Sequence, residues 1–353
     1  MRPETLTTAV LGLNDAGRQI LRTAAATGLF RIVAVADQDA LLAERIAGEY
    51  DCQAHGDFRQ MIVQNHLDCL IVAAETHNCD EQIKTALKRG YNVLKLAPPA
   101  RTFEEALEYI QMAEGQGVQF AVASPARFRS SYQETRELLS QGCVAHPFLV
   151  AASCSFGTTD RPAWQSDPKL AGGGVLLQDC YHTVDQVLWN FPLPGQIYAL
   201  QTNAAPDKQQ RLSRTEDTAV VCLKFSDALM GSMIATRGGE PAPDRATIEI
   251  HGRDARLTVT PTEVVLSTQA GDDDGQTWRY DEDGIAVEER MLTAFARSIL
   301  APDAHRPIVT AAETLRNMAV LQSAYLSART GFPEEPARIL QLAGNLVGTA
   351  ANI

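Results

Sequence analysis

The chain has 353 residues, too many for one average domain and enough for two with sizeable cores. Its 31 basic and 43 acidic residues leave a formal net charge of −12. The lysines and arginines are scattered without a basic block, which argues against nucleic acid and anionic membrane as partners. Seven cysteines (Cys52, Cys69, Cys79, Cys143, Cys154, Cys180 and Cys222) form no C-x-x-C pair and read as reduced thiols of a cytoplasmic protein with no disulfide framework and no metal site. The start lacks a basic, apolar leader and no apolar run approaches a membrane span.

The first predicted elements are a strand near 6 to 12, a tight turn and a helix near 16 to 28. In the turn, Gly12 permits a sharp bend and Gly17 permits close packing of helix on strand. The helix start at Asp15 and Ala16 directs its N–H groups and dipole at a pyrophosphate. The middle glycine of a G-x-G-x-x-G pattern is replaced by Asn14, whose side chain is expected where the backbone comes nearest the phosphates. Asp37 ends the next apolar run, 20 residues after Gly17, where a carboxylate accepts hydrogen bonds from an adenosine ribose. Its neighbours Gln38 and Asp39 offer no positive charge to a 2′-phosphate, so the expected cofactor is NAD, with NADP second. The competing reading is the strand-turn-helix of any doubly wound domain, with Asp37 merely solvated at a strand end.

Strands near 31 to 37, 68 to 74, 92 to 96 and 118 to 123 then alternate with helices near 40 to 49, 57 to 65, 79 to 89 and 103 to 115. This alternation predicts a parallel sheet covered by helices, a Rossmann-type α/β domain over 1 to 125. A bridging helix near 131 to 140 is followed by strands at about 147 to 155, 196 to 205, 216 to 226, 229 to 237, 246 to 251, 255 to 260 and 262 to 268. Helices are expected at 175 to 190, 287 to 300 and 311 to 329. These make an α+β domain over 126 to 335 with a large, mainly antiparallel sheet, and the residues from 336 to 353 form a tail whose Leu340, Leu342 and Val347 are suited to docking. The acidic, glycine-rich loop from Ala270 to Gln276 reads as a surface excursion.

Four strings carry a family resemblance: AVLGLNDAGRQIL with VAVADQD after it, LDCLIVAAETHNCDEQIKTALKRGYNVLKLAPPA, WQSDPKLAGGGVLLQDCYHTVDQVLW and ATIEIHGRDARLTV. Together they resemble the glucose-fructose oxidoreductase, inositol dehydrogenase and rhizopine-catabolism (Gfo/Idh/MocA) family over nearly the whole chain up to about residue 335. The resemblance implies a nicotinamide-dependent oxidoreductase acting on a sugar, polyol or related hydroxy compound, assembled as a homodimer or homotetramer. It places cofactor contacts at Ala74, Thr76 and Pro98 in addition to the glycine turn.

The same resemblance exposes departures. Leu96-Ala97-Pro98 stands for the family's Glu-Lys-Pro, so its nicotinamide-side lysine is missing, and the Asp four residues before the active-site His is Gln178. Glu75-Thr76 replaces the customary Pro-Asn, and Cys79 a frequent His. The surviving acid/base candidate is His182, on a helix that would set Gln178 at i−4 and Asp185 at i+3 on one face, Asp185 orienting the imidazole and Gln178 binding substrate without activating it. The alternative for His182 is a helix histidine held by Asp185 at a domain interface. Asp179 lies off the expected face. Trp164 and Lys169 fall in the substrate-side loop, where an aromatic face and a cation suit a polyol or acidic sugar; Trp164 reads equally well as a packed loop anchor. Lys95 points the same way as residue 97 but one pleat repeat lower, and pairing with a carboxylate or capping a helix is its expected role over catalysis. Arg127 and Arg129 read as solvated or capping arginines, Tyr181 and Trp189 as core. Because Ala97 and Gln178 stand at two catalytic positions, the alternative to a working enzyme is a degenerate dinucleotide-binding sensor or noncatalytic subunit.

Overall fold

The computed structural model of the chain describes residues 4–157, 162–204, 214–238, 245–268 and 275–346. Its strands in chain order are β1 (Leu6–Leu11), β2 (Phe30–Ala36), β3 (Gln53–His55), β4 (Cys69–Val72), β5 (Asn92–Leu96), β6 (Phe120–Ala123), β7 (Leu149–Phe156), β8 (Gln196–Thr202), β9 (Thr218–Lys224), β10 (Met230–Arg237), β11 (Arg245–His251), β12 (Ala255–Val259), β13 (Glu263–Thr268) and β14 (Gln276–Arg279). The helices are α1 (Asp15–Ala26), α2 (Ala40–Tyr50), α3 (Phe58–Gln64), α4 (Asp80–Lys88), α5 (Phe103–Gln116), α6 (Ser130–Ser140), α7 (Pro168–Ala171), α8 (Val175–Gln178), α9 (Tyr181–Asn190), α10 (Gly284–Leu300), α11 (Ala311–Thr330) and α12 (Pro336–Leu340). The chain divides into two compact units, Met1–Ala100 with Glu104–Pro125 and Asp283–Ala311, and Arg101–Phe103 with Ala126–Glu282 and Ala312–Ile353.

The first unit is a six-stranded parallel sheet in the order β3-β2-β1-β4-β5-β6. β4 and β6 are continuous apolar runs with every residue buried, as strands covered by helices on both faces require. Asn14, Asp39 and Asp57 cap α1, α2 and α3 by accepting backbone N–H groups, so each strand passes into its helix through a short polar turn. Strand order reverses between β1 and β4, the switch point at whose carboxyl ends such sheets bind ligands.

The segment 283–311 returns to this unit, an arrangement outside the expected 1 to 125 span. The reason is a polar clasp: Glu288 on α10 accepts hydrogen bonds from Gln19 (2.9 Å) and Thr23 (3.1 Å) of α1, while Met291, Leu292 and Phe295 are fully buried.

The second unit is an eight-stranded sheet in the order β14-β13-β12-β11-β7-β10-β9-β8, antiparallel throughout except between β7 and β10. Alternation sorts its faces: Ile197, Ala199, Val221, Leu223, Met233 and Ala235 point into the core, and Tyr198, Leu200, Val220 and Ile234 point outward. Short β3 and β14 lie at sheet edges and carry too few alternating residues to register as strands; β14 begins at Gln276, where a loop was expected. The rest of that acidic excursion, 269–274, lies outside the described residues, as does Val347. Within the tail, Ile339 and Leu340 of α12 are buried and Leu342 is exposed.

Candidate active site

In the first unit the ends of β1, β2 and β4 surround a cavity of about 200 Å³ lined by Gly12, Leu13, Asn14, Arg18, Asp37, Gln38, Leu42, Phe58, Ala74 and Glu75. Gly12 sits at φ +90°, and a methyl group there would overlap the Ala74 backbone; one on Gly17 would overlap the Gly12 carbonyl. Asn14 also lines this cavity, its side chain held within the turn, Oδ1 accepting from Gly17 N (2.8 Å) and Nδ2 donating to Ala73 O (3.1 Å). The cap uses one of the free amides of the helix start, and the N–H groups of Asp15 and Ala16 keep no acceptor within the helix.

Asp37 braces the same turn, accepting from Leu13 N (2.6 Å) and Asp39 N (3.0 Å). Arg18 is the residue that sequence reasoning missed. Its guanidinium donates to Leu13 O (3.0 Å) and pairs with Asp15 on the cavity rim, where it offsets the Asp15 charge that would repel phosphate. The signal was an arginine directly after the last glycine, one turn into the helix. A cradle closed to any Cβ, free helix-start amides and a strand-end carboxylate fit a dinucleotide. Ala74 and Thr76 are buried near this end of β4, and Pro98 follows β5.

In the second unit the run Gly172-Gly173-Gly174 is explained by contact. Added methyl groups would strike the Arg101 backbone, the Tyr325 hydroxyl and the Glu216 carbonyl, respectively. The buried Glu216 carboxylate caps α8, accepting from Gly174 N (2.7 Å), Leu176 N (3.0 Å) and the Tyr325 hydroxyl (2.8 Å), and burial raises its pKa.

The expected continuous helix over 175 to 190 is broken. α8 ends at Gln178, and α9 starts at Tyr181 after Cys180, whose backbone lies at φ −89°, ψ 1°. Gln178 therefore leaves the i−4 position relative to His182, and its Nε2 donates to Ala171 O at 2.6 Å. Asp179, off the expected face, pairs with Arg237.

Asp185 is likewise corrected. It is fully buried and binds the Arg127 guanidinium through both oxygens (2.8 and 2.7 Å) and Asn317 Nδ2 (2.8 Å), so its hydrogen bonds do not orient His182. Arg127, read from sequence as solvated or capping, is 6% exposed; it also reaches Glu313 (2.8 Å) and lies against the Trp189 ring. Arg129 occupies the N-cap position of α6.

His182 itself is partly buried, and among the described residues its Nδ1 has no hydrogen-bond partner. Burial lowers its pKa against a smaller opposing effect of Asp185, so the imidazole is neutral near neutral pH and able to accept a proton. Trp164 lies half-buried in a short 3-10 turn, and Lys169 is exposed on α7, a helix capped by Asp167. Among the described residues Lys95 neither pairs with a carboxylate nor caps a helix, the two roles expected of it: it is 3% exposed and donates to Leu96 O of its own strand at 2.8 Å. No group of His, Cys, Asp or Glu suited to holding a metal occurs among the described residues.

A family model described as "Oxidoreductase family, NAD-binding Rossmann fold" matches residues 6–124, and the model "GFO/IDH/MocA C-terminal domain" matches 132–258. The chain belongs to the Gfo/Idh/MocA family. This Gfo/Idh/MocA chain is 29% identical over 189 residues to the rhizopine catabolism protein MocA of Rhizobium meliloti, across 53% of the chain and 57% of that protein. It is 22% identical over 251 residues to a D-xylose 1-dehydrogenase (NADP(+)) of Hypocrea jecorina, across 68% and 62% of the two lengths. The chain thus matches these curated relatives over less than two thirds of their length.

Its fold is similar to that of a levoglucosan dehydrogenase solved in complex with NADH and levoglucosan, at a TM-score of 0.85 and 16% identity, with 94% of this chain and 99% of that one covered.

Proposed function

We propose that the protein is an NAD-dependent oxidoreductase that moves a hydride between nicotinamide and a hydroxyl-bearing carbon of a sugar, polyol or related compound. The observation that carries this reading is His182, a neutral imidazole whose buried Nδ1 has no hydrogen-bond partner among the described residues, on a chain whose other unit holds a glycine-lined cradle. When bound, the nicotinamide supplies the hydride acceptor. His182 takes the hydroxyl proton as the C–H hydride leaves, and the alcohol becomes a carbonyl; in reverse it returns the proton. Gln178 keeps its Oε1 to accept a substrate hydroxyl, and Trp164 and Lys169 add an apolar face and a cation. The sugar dehydrogenase among the relatives supports the substrate class.

Asp37 favours NAD. A 2′-phosphate beside it would meet a carboxylate, and Arg18, the nearby cation, is committed to Asp15 and the Leu13 carbonyl. The degenerate sensor or subunit finds no support in the relatives named above. A second copy of the chain is the partner we assign to the outer face of the eight-stranded sheet, where Tyr198, Leu200, Val220, Met230 and Ile234 stand exposed. Light scattering reads this directly: a dimer or tetramer supports it and a monomer rejects it. The seven cysteines form no disulfide among them and fit the reducing cytoplasm.

The test of function is a titration with NADH and NADPH, followed by a screen of sugars and polyols for nicotinamide reduction, with His182→Ala beside the parent. Tight NADH binding, turnover of a polyhydroxy compound and loss of most of the rate in H182A are expected. Binding of neither dinucleotide overturns the reading, and an undiminished rate in H182A removes the proton assignment.

A further inference from the structure

The carboxyl end of β5 holds a buried lysine. Lys95 is 3% exposed, its Nζ donates to the neutral Leu96 carbonyl at 2.8 Å, and among the described residues no carboxylate lies within ion-pair distance of it. The ionisable groups acting on it are Cys79, a buried thiol, and Glu75, whose Oε2 is already engaged by Asn78 at 2.9 Å. Burial lowers the Lys95 pKa and these two groups oppose the shift. A lysine kept in an apolar strand without a carboxylate beside it is costly, and a methionine of similar length would fill the same space.

β5 neighbours β4 in the second half of the sheet, and the two mononucleotide halves of such sheets divide a dinucleotide between them, adenosine on the first and nicotinamide on the second. We propose that Lys95 biases the site toward reduced cofactor, its charge repelling the cationic ring of NAD+ while leaving the neutral ring of NADH untouched. The inference rests on the dinucleotide reading above. In a medium of effective dielectric near 20, a repulsion of about 1.4 kcal/mol between two unit charges is enough to change a binding ratio about tenfold.

The experiment is calorimetric titration of the full chain and of Lys95→Met with NADH, NAD+ and ADP-ribose, the last lacking the nicotinamide ring. In the parent, NADH binds at least about tenfold more tightly than NAD+, and ADP-ribose at least as tightly as NAD+. In Lys95→Met the ratio of the NAD+ and NADH dissociation constants falls about tenfold, mainly through tighter NAD+, with ADP-ribose unchanged. A merely structural lysine predicts a different pattern, in which all three ligands weaken together; that result, or an unchanged ratio, overturns the inference. If the variant does not fold, the parent decides: NAD+ binding more tightly than ADP-ribose overturns it, and the reverse order supports it. Binding of none of the three overturns the dinucleotide reading and this inference with it, whereas binding without discrimination overturns this inference alone.

Discussion

Arg127→Met is the sharpest test of how the second unit is held together. The guanidinium gives Asp185 two bonds of 2.7 and 2.8 Å, gives Glu313 one of 2.8 Å, and lies 5.3 Å from the Trp189 ring centroid. Methionine keeps the volume and removes every one of these contacts, leaving the fully buried Asp185 carboxylate with the single Asn317 amide at 2.8 Å. Removing one partner of a buried ion pair costs about 3–5 kcal/mol, because the surviving charge stays desolvated. For a unit of this size each kcal/mol moves the melting temperature by about 2–4 °C, so a fall of about 6–20 °C is expected. Differential scanning calorimetry measures it. Arg127→Met with Asp185→Leu should recover most of the loss, since replacing both charges by apolar groups removes the orphan. A fall below about 2 °C for the single variant, or a double variant no better than the single, refutes the reasoning.

Three further outcomes follow from the sites. Gly12→Ala should weaken NADH binding at least about a hundredfold by isothermal titration, since its methyl group has no room against Ala74; binding within a few fold of the parent removes the glycine turn from the cofactor site. Replacing Asp37 by Ser and Gln38 by Arg should shift the NADPH to NADH affinity ratio upward by about tenfold or more, because a carboxylate is exchanged for a charge-assisted phosphate contact; an unchanged ratio contradicts the placement of Asp37.

The pH dependence has a definite sign. The folded pKa of His182 lies below its ordinary 6.5, so kcat/KM for alcohol oxidation should hold steady down to pH 6.5 and fall only at more acid pH, as the imidazole protonates. The unfolded chain takes up that proton first. His182 thus lowers stability as pH falls through and below 6.5, and His182→Gln should flatten this part of the stability curve; a rate limb centred above 6.5 contradicts the burial argument.

What was legible in the sequence is what local chemistry dictates. Gly12, Gly17 and Asp37 sit on one strand-turn-helix-strand stretch whose spacing alone specifies the turn, and the alternating apolar runs specify the parallel sheet. Asp185 was misread because its partner lies 58 residues away in Arg127, and helical spacing shows only neighbours on the same helix. The break between α8 and α9, at Asp179-Cys180, carries neither Gly nor Pro, so no residue type marks it in the sequence. Asn14 looked like an obstacle because its identity was visible and its rotamer was not. Lys95 could be placed on its strand face, but only packing shows that no carboxylate meets it.

The most direct test of the central claim is the transient reduction of NAD+ by a polyol or sugar substrate, compared between the parent and His182→Gln across pH. The account predicts a burst of dihydronicotinamide absorbance in the parent that weakens below pH 6.5, and a slowed, pH-flat rate in His182→Gln with NADH affinity unchanged. NADH binding with no reduction by any polyhydroxy substrate, or a His182→Gln rate equal to the parent's at every pH, would contradict it.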